Sequence, residues 1–78
     1  MDITFSHHAK ERIKVYSLTQ DIIENSLRNP SEVVDGYEGT KIAHHPLNGK
    51  VLRIVFIETQ NTMKVITAYP ALKKRYIK

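Results

Sequence analysis

The stretch TKIAHHPLNGKVLRIVFIE, residues 40–58, contains two apolar-patterned runs separated by Asn48-Gly49. An Asn-Gly pair between two such runs is the strongest short-range signal of a β-hairpin, because both central residues of a type I′ turn need a positive φ. The second run, VLRIVFI, is apolar on both faces except at Arg53, so it is expected to be a central strand buried on two sides. Residues 40–58 therefore predict an antiparallel hairpin at the centre of a sheet.

Further strand-forming runs lie on both sides of this hairpin. On its N-terminal side, residues 31–39, SEVVDGYEG, indicate a short strand that runs into a glycine turn. On its C-terminal side, residues 62–69, TMKVITAY, indicate another strand, which Pro70 is expected to end. The basic tail at residues 71–78, ALKKRYIK, can form a short helix.

The N-terminal part predicts one short strand and two helices. Residues 2–5, DITF, alternate polar and apolar side chains as a strand does. Ser6 is a good N-cap for a helix over residues 7–16. Thr19 can cap a second helix, which is expected to stop before Pro30 because proline disfavours helical geometry at the preceding residue.

The order β-α-α-β-β-β-β predicts an α+β fold, with two N-terminal helices packed on a twisted antiparallel sheet of about four strands. Because the chain has 78 residues, a single domain over residues 1–78 is expected. It contains no cysteine, and a secreted domain of this size usually needs disulfides, so a cytoplasmic location is expected. No apolar run approaches the roughly 18 residues of a membrane span, so no membrane association is expected.

Charge is distributed unevenly between the two halves of the chain. Residues 1–38 hold seven acidic and four basic side chains, whereas residues 39–78 hold eight basic side chains and one acidic one. The halves therefore carry −3 and +7, which sum to the net charge of +4. A segregated basic surface favours a polyanionic partner, with nucleic acid first and an acidic protein second. The alternative is a small basic protein that binds nothing in particular.

The hairpin brings an imidazole and a guanidinium together. A two-residue turn at Asn48-Gly49 places His44 directly opposite Arg53, on the same face of the sheet. An arginine within an apolar strand is costly unless it is paired, hydrogen-bonded or open to a site. Arg53 therefore either belongs to a functional site or reaches a nearby carboxylate such as Glu32 or Asp35.

The sequence leaves the register of the last strand open. Thr67 and Tyr69 are two residues apart and therefore share a face. A connection of two or four residues before this strand puts Ala68 opposite Arg53, whereas a connection of three residues puts Tyr69 there. Tyr69 is thus either a neighbour of Arg53 or an ordinary strand aromatic packed on the sheet.

The four histidines lack the spacing of a metal site. They occur as the adjacent pairs His7-His8 and His44-His45, and adjacent side chains point in different directions on a helix or a strand. The chain also has no cysteine and no glycine-rich phosphate loop. Neither a metal nor a cofactor is expected.

Four segments together resemble a known family. They are HAKER at residues 8–12, GKVLRIVF at 49–56, VITAYP at 65–70 and KKRY at 73–76. Their order and spacing resemble a family of small bacterial and archaeal domains of unknown function related to the RelE/ParE-like toxins of toxin–antitoxin pairs. The resemblance implies a RelE-like fold of two helices over a twisted antiparallel sheet. It also implies metal-independent endoribonuclease activity, since RelE-like relatives cleave RNA, often messenger RNA on the ribosome, and a cognate antitoxin as protein partner.

The resemblance and the hairpin register together nominate ten site residues. The candidate catalytic residues are His8, Arg12, Arg53 and Tyr69. The candidate nucleic-acid-binding residues are His44, Thr67, Lys73, Lys74, Arg75 and Tyr76.

Metal-free RNA cleavage uses the neighbouring 2′-hydroxyl as the nucleophile, so it needs proton transfer and stabilisation of charge on the phosphate. We expect His8 to act as general base or acid, Arg53 with Arg12 to clamp the phosphate, and Tyr69 or Tyr76 to donate a proton or stack on a base. His8 and Arg12 are spaced i,i+4 on a helix and are expected to lie beside Arg53. The alternatives are a non-catalytic module that binds a protein target, as the gyrase-poisoning ParE-like branch does, and a plain nucleic-acid-binding domain.

Overall fold

The computed structural model describes residues 2–72, which form five strands and two helices. In chain order these are β1 (Asp2–Phe5), α1 (His7–Val15), α2 (Gln20–Arg28), β2 (Glu32–Asp35), β3 (Lys41–Leu47), β4 (Lys50–Glu58) and β5 (Thr62–Leu72). The strands make one sheet in the order β1-β5-β4-β3-β2. The predicted α+β class is confirmed. The sheet has five strands rather than about four, and it is mixed rather than wholly antiparallel because β1 pairs with β5 in parallel.

Both helices begin at the predicted caps. The Ser6 hydroxyl accepts a hydrogen bond from the backbone N–H of Ala9 at 3.0 Å, and the Thr19 hydroxyl accepts one from Ile22 at 3.1 Å. Each bond satisfies a backbone donor that has no partner within the first helical turn. Between the helices, Ser17 adopts a φ of +56°. Neither helix is long and apolar enough to cross a membrane.

The central hairpin has the predicted turn. Asn48 and Gly49 have φ values of +49° and +79°, as a type I′ turn requires, and Leu47 pairs with Lys50 across it. Counting back from the turn, His44 pairs with Arg53, so the predicted register is confirmed.

The last strand continues past its proline. We predicted that Pro70 would end it, but β5 runs on to Leu72, and Pro70 pairs with Leu52 of β4. The prediction was wrong because β1 pairs with β5 only as far as Val65. Beyond that residue, within residues 2–72, β5 has a strand neighbour on one side only, and proline is tolerated at such an edge.

The two faces of the sheet differ in their surroundings. Leu52, Ile54 and Phe56 of β4 are buried in the core with residues of both helices, among them Ile13 and Ile23. Ile23 is 0% exposed, and burying a side chain of this size stabilises the fold by about 1.5–3 kcal/mol.

Because strand side chains alternate, Val51, Arg53 and Val55 lie on the opposite face, which we call the distal face. Val51 is 0% exposed there, whereas Val55 is half-buried. The predicted burial of β4 on two sides therefore holds at Val51 and is incomplete further along the strand.

Candidate functional site

A continuous row of polar side chains crosses four strands on the distal face. Glu32 of β2 pairs with His44 of β3, His44 with Arg53 of β4, and Arg53 with Tyr69 of β5. We call Glu32, His44, Arg53 and Tyr69 the polar rung. Directly opposed residues share a face and lie close enough to interact, so the strand register alone brings these four groups together.

Arg53 is the hub of the polar rung. Its Nε donates a hydrogen bond to Nε2 of His44 at 3.2 Å, and its Nη1 donates one to the hydroxyl of Tyr69 at 2.6 Å. The guanidinium carbon also lies 5.5 Å from the centroid of the Tyr69 ring, within cation–π range. The planar guanidinium is thus held between an imidazole and a phenol.

The hydrogen bonds fix the roles of the neighbouring atoms. An arginine can only donate, so Nε2 of His44 must accept, and the neutral ring therefore carries its proton on Nδ1. Nδ1 faces Oε2 of Glu32 at 3.5 Å. The hydroxyl of Tyr69 accepts from Arg53, and this contact leaves its own proton for donation to another acceptor.

Burial differs along the polar rung. The ring of His44 is buried, at 4% exposure for the residue, and half of the Glu32 side chain is exposed. Arg53 and Tyr69 are half-buried. Glu32, Arg53 and Tyr69 are therefore the members that combine a reactive group with access to solvent, whereas His44 is nearly closed to it.

A β-bulge determines which residue faces Arg53. Glu58 of β4 pairs with Met63 of β5, and this register, continued without interruption, would place Ala68 opposite Arg53. The register shifts by one residue between Phe56 and Val55, so that Tyr69 takes that position instead. Bulges occur often beside functional sites because they change the direction of a side chain in this way.

Ser6 holds the bulge in place. The extra residue is Ile66, since Val65 pairs with Phe56 and Thr67 with Val55. The Ser6 hydroxyl donates a hydrogen bond to the carbonyl of Ile66 at 2.8 Å, and the Ser6 N–H donates one to the carbonyl of Val65 at 2.9 Å.

The structure divides the predicted catalytic set between two layers. His8 is exposed and Arg12 half-buried on α1, whose buried residues Ala9 and Ile13 pack on the face opposite Arg53. The expectation that His8 and Arg12 lie beside Arg53 was therefore wrong, because α1 covers the other side of the sheet. The adjacent His7 lies at the surface, where its Nε2 is 3.1 Å from Oε1 of Glu11.

The predicted nucleic-acid-binding residues fall in three places. Thr67 is on the distal face, opposite Val55 and two residues from Tyr69. His44 is in the polar rung, where its buried ring faces Arg53 and Glu32. The remaining candidates, Lys73, Lys74, Arg75 and Tyr76, lie outside the described residues.

Residues 5–70 match the family model described as a domain of unknown function, DUF4258. The chain belongs to the DUF4258 family. No curated protein and no solved structure matches it. The DUF4258 match includes Ser6, the bulge and all four members of the polar rung.

Glu32 is the member of the rung that sequence reasoning did not place. The sequence offers Glu32 as a partner for Arg53, whereas the structure puts it against His44, one strand further away. Its position depends on the register across the loop between β2 and β3, for which the sequence carries no turn signal as clear as Asn-Gly.

Within residues 2–72, no group of three or more His, Cys, Asp or Glu side chains is arranged to hold a metal ion. The chemistry that the polar rung can provide is that of a fixed cation beside a hydroxyl that can donate a proton. A guanidinium binds phosphate oxygens well because it is always charged and presents several donors in one plane.

Proposed function

We propose that this DUF4258 domain binds RNA on the distal face of its sheet and cleaves it without a metal ion. The observation that carries the proposal is the pairing of Arg53 with Tyr69, at 2.6 Å between Nη1 and the hydroxyl oxygen. A phosphodiester in that place meets a permanent positive charge and a proton donor together. These are the two requirements for stabilising a phosphorane and releasing an alkoxide.

The reaction follows from the chemistry of RNA. The 2′-oxygen forms a bond to phosphorus, the bond from phosphorus to the 5′-oxygen breaks, and the 2′-hydroxyl proton is lost to solvent. Tyr69 gives its proton to the leaving 5′-oxygen and regains one from water, while Arg53 stabilises the charge on the non-bridging oxygens. The products are a 2′,3′-cyclic phosphate and a 5′-hydroxyl, and DNA, which lacks the nucleophile, is not cut.

Charge supports a polyanionic substrate. The C-terminal half of the chain carries a net +7, and Lys64 is an exposed residue of β5 that pairs with Ile57 on the distal face. Exposed cations beside a site attract phosphate backbones and fix their position without reading sequence.

The proposal extends to the biological role that the resemblance to RelE/ParE-like toxins implies. In that role the domain is the toxin of a toxin–antitoxin pair, it acts on RNA that includes ribosome-bound messenger RNA, and it is restrained by an acidic antitoxin. A net charge of +4 suits a partner of opposite charge. An acidic protein encoded beside this chain is expected to relieve the growth arrest that its expression causes.

The test uses purified protein and end-labelled single-stranded RNA and DNA of the same base sequence, with a chelator present. We expect RNA alone to be cut, leaving cyclic phosphate and 5′-hydroxyl ends. Tyr69→Phe, which removes only the hydroxyl, should slow cleavage by about 10²–10⁴-fold, the usual contribution of a general acid. The matched control is Tyr37→Phe, because Tyr37 is 91% exposed in the loop after β2.

Three outcomes would contradict the proposal. Equal cleavage by the parent and Tyr69→Phe would remove the tyrosine from the chemistry. RNA binding that weakens steeply with salt but gives no cleavage would indicate a plain nucleic-acid-binding domain. Growth arrest without RNA binding would indicate a protein target.

A further inference from the structure

The side chain of Arg53 is oriented by a residue that is itself too buried to offer much surface to a substrate. The guanidinium has a single Nε–H, and this hydrogen is donated to Nε2 of His44. His44 is 4% exposed, and its other nitrogen faces the carboxylate of Glu32. The carboxylate favours the tautomer with the proton on Nδ1, which is the tautomer that leaves Nε2 able to accept.

We propose that His44 and Glu32 are positioning residues: Glu32 holds His44 in its Nδ1–H form, and neutral His44 holds Arg53 beside Tyr69. The consequence for RNA rests on the proposed function, whereas the positioning itself concerns the protein alone.

Loss of the acceptor at Nε2 of His44 disrupts this arrangement, because the Nε–H of Arg53 then lacks this hydrogen bond while its contact with Tyr69 remains. The side chain of Arg53 should then be less firmly oriented in the rung.

The primary experiment measures hydrogen exchange at the Arg53 Nε–H by nitrogen-15 NMR in the RNA-free protein. Arg28 serves as the internal reference because its side chain is 58% exposed on α2. At pH 7.5 we expect Arg53 to exchange about tenfold more slowly than Arg28, the effect of one hydrogen bond of ordinary strength.

Two substitutions of His44 distinguish positioning from a general structural role. His44→Gln keeps an acceptor near the place of Nε2, so slow exchange at Arg53 should persist. His44→Leu keeps the bulk and removes the acceptor, so the protection of Arg53 should be lost. Glu32→Ala should reduce the protection at pH 7.5, while Asp35→Asn, at the other end of β2, should not.

RNA binding provides the second measurement, with a single-stranded oligonucleotide as the probe. His44→Leu should weaken binding by about tenfold, and His44→Gln, which keeps an acceptor, should weaken it less. If hydrogen exchange at Arg53 changes as expected in the variants but the parent does not bind RNA, the proposed function is overturned and the positioning of Arg53 stands. Unchanged exchange at Arg53 in His44→Leu, or loss of its protection in a folded His44→Gln, would overturn the positioning. If His44→Leu does not fold, unchanged exchange at Arg53 in Glu32→Ala would do the same.

Discussion

Replacing Ser6 by alanine tests whether one hydroxyl supports both the start of α1 and the bulge that places Tyr69. The Ser6 hydroxyl accepts from the N–H of Ala9 at 3.0 Å and donates to the carbonyl of Ile66 at 2.8 Å. Alanine removes both bonds without adding bulk.

The expected decrease in the free energy of unfolding is the sum of two separate losses. An N-cap contributes about 1 kcal/mol to the free energy of unfolding. A hydrogen bond to a partly buried carbonyl contributes about another 1 kcal/mol. Ser6→Ala should therefore cost about 2 kcal/mol, out of the roughly 4–12 kcal/mol that a domain of this length usually has. The matched control is Thr19→Ala, which removes an exposed N-cap bond and should cost about 1 kcal/mol.

Urea denaturation followed by far-UV circular dichroism measures both values. A difference of about 1 kcal/mol between Ser6→Ala and Thr19→Ala isolates the hydrogen bond to Ile66. Ser6→Ala should also slow RNA cleavage, because a bulge that relaxes returns Ala68 to the position opposite Arg53. Equal destabilisation by the two substitutions would refute the claim that Ser6 anchors the bulge.

Two further predictions concern the turn and the helix layer. Gly49→Ala, at a φ of +79°, should lower the free energy of unfolding by about 1–2 kcal/mol, whereas Asn48→Gly should leave the same urea titration nearly unchanged. His8→Ala should leave the rate of RNA cleavage unchanged because His8 lies in the helix layer. A decrease in the rate of about 10²-fold or more would instead show that His8 acts as a general acid or base.

The hairpin could be predicted from the sequence because its determinants are local. Asn48-Gly49 specifies the turn, and the turn fixes the pairing of His44 with Arg53 by simple counting. The same counting left open whether Ala68 or Tyr69 faces Arg53, and the structure places Tyr69 there. The bulge that places it is stabilised by Ser6, which is 60 residues away from Ile66 in the chain, and no local pattern reports such a contact.

The neighbour of β1 in the sheet and the surroundings of His8 also depend on contacts between residues that are far apart in the chain. The parallel pairing of β1 with β5 joins the first and last strands, so neither strand's sequence reveals its neighbour. The position of His8 depends on which face of the sheet α1 covers. An i,i+4 spacing shows that His8 and Arg12 share a helix face, but it does not show what lies opposite that face.

The polar rung differs in chemistry from the row of residues beside it on the distal face. The next row of directly paired residues on that face is almost wholly apolar: Val34, Ile42, Val55 and Thr67. The distal face therefore accommodates apolar side chains in the row beside the polar rung. A guanidinium held by an imidazole and a phenol has no evident advantage for packing, whereas it is well suited to holding a phosphate.

The rung also links its members, since removing Arg53 leaves the buried Nε2 of His44 without this donor. Activity lost in Arg53→Ala would therefore mix catalysis with stability, and Tyr69→Phe, which removes a single hydroxyl, tests the chemistry more directly.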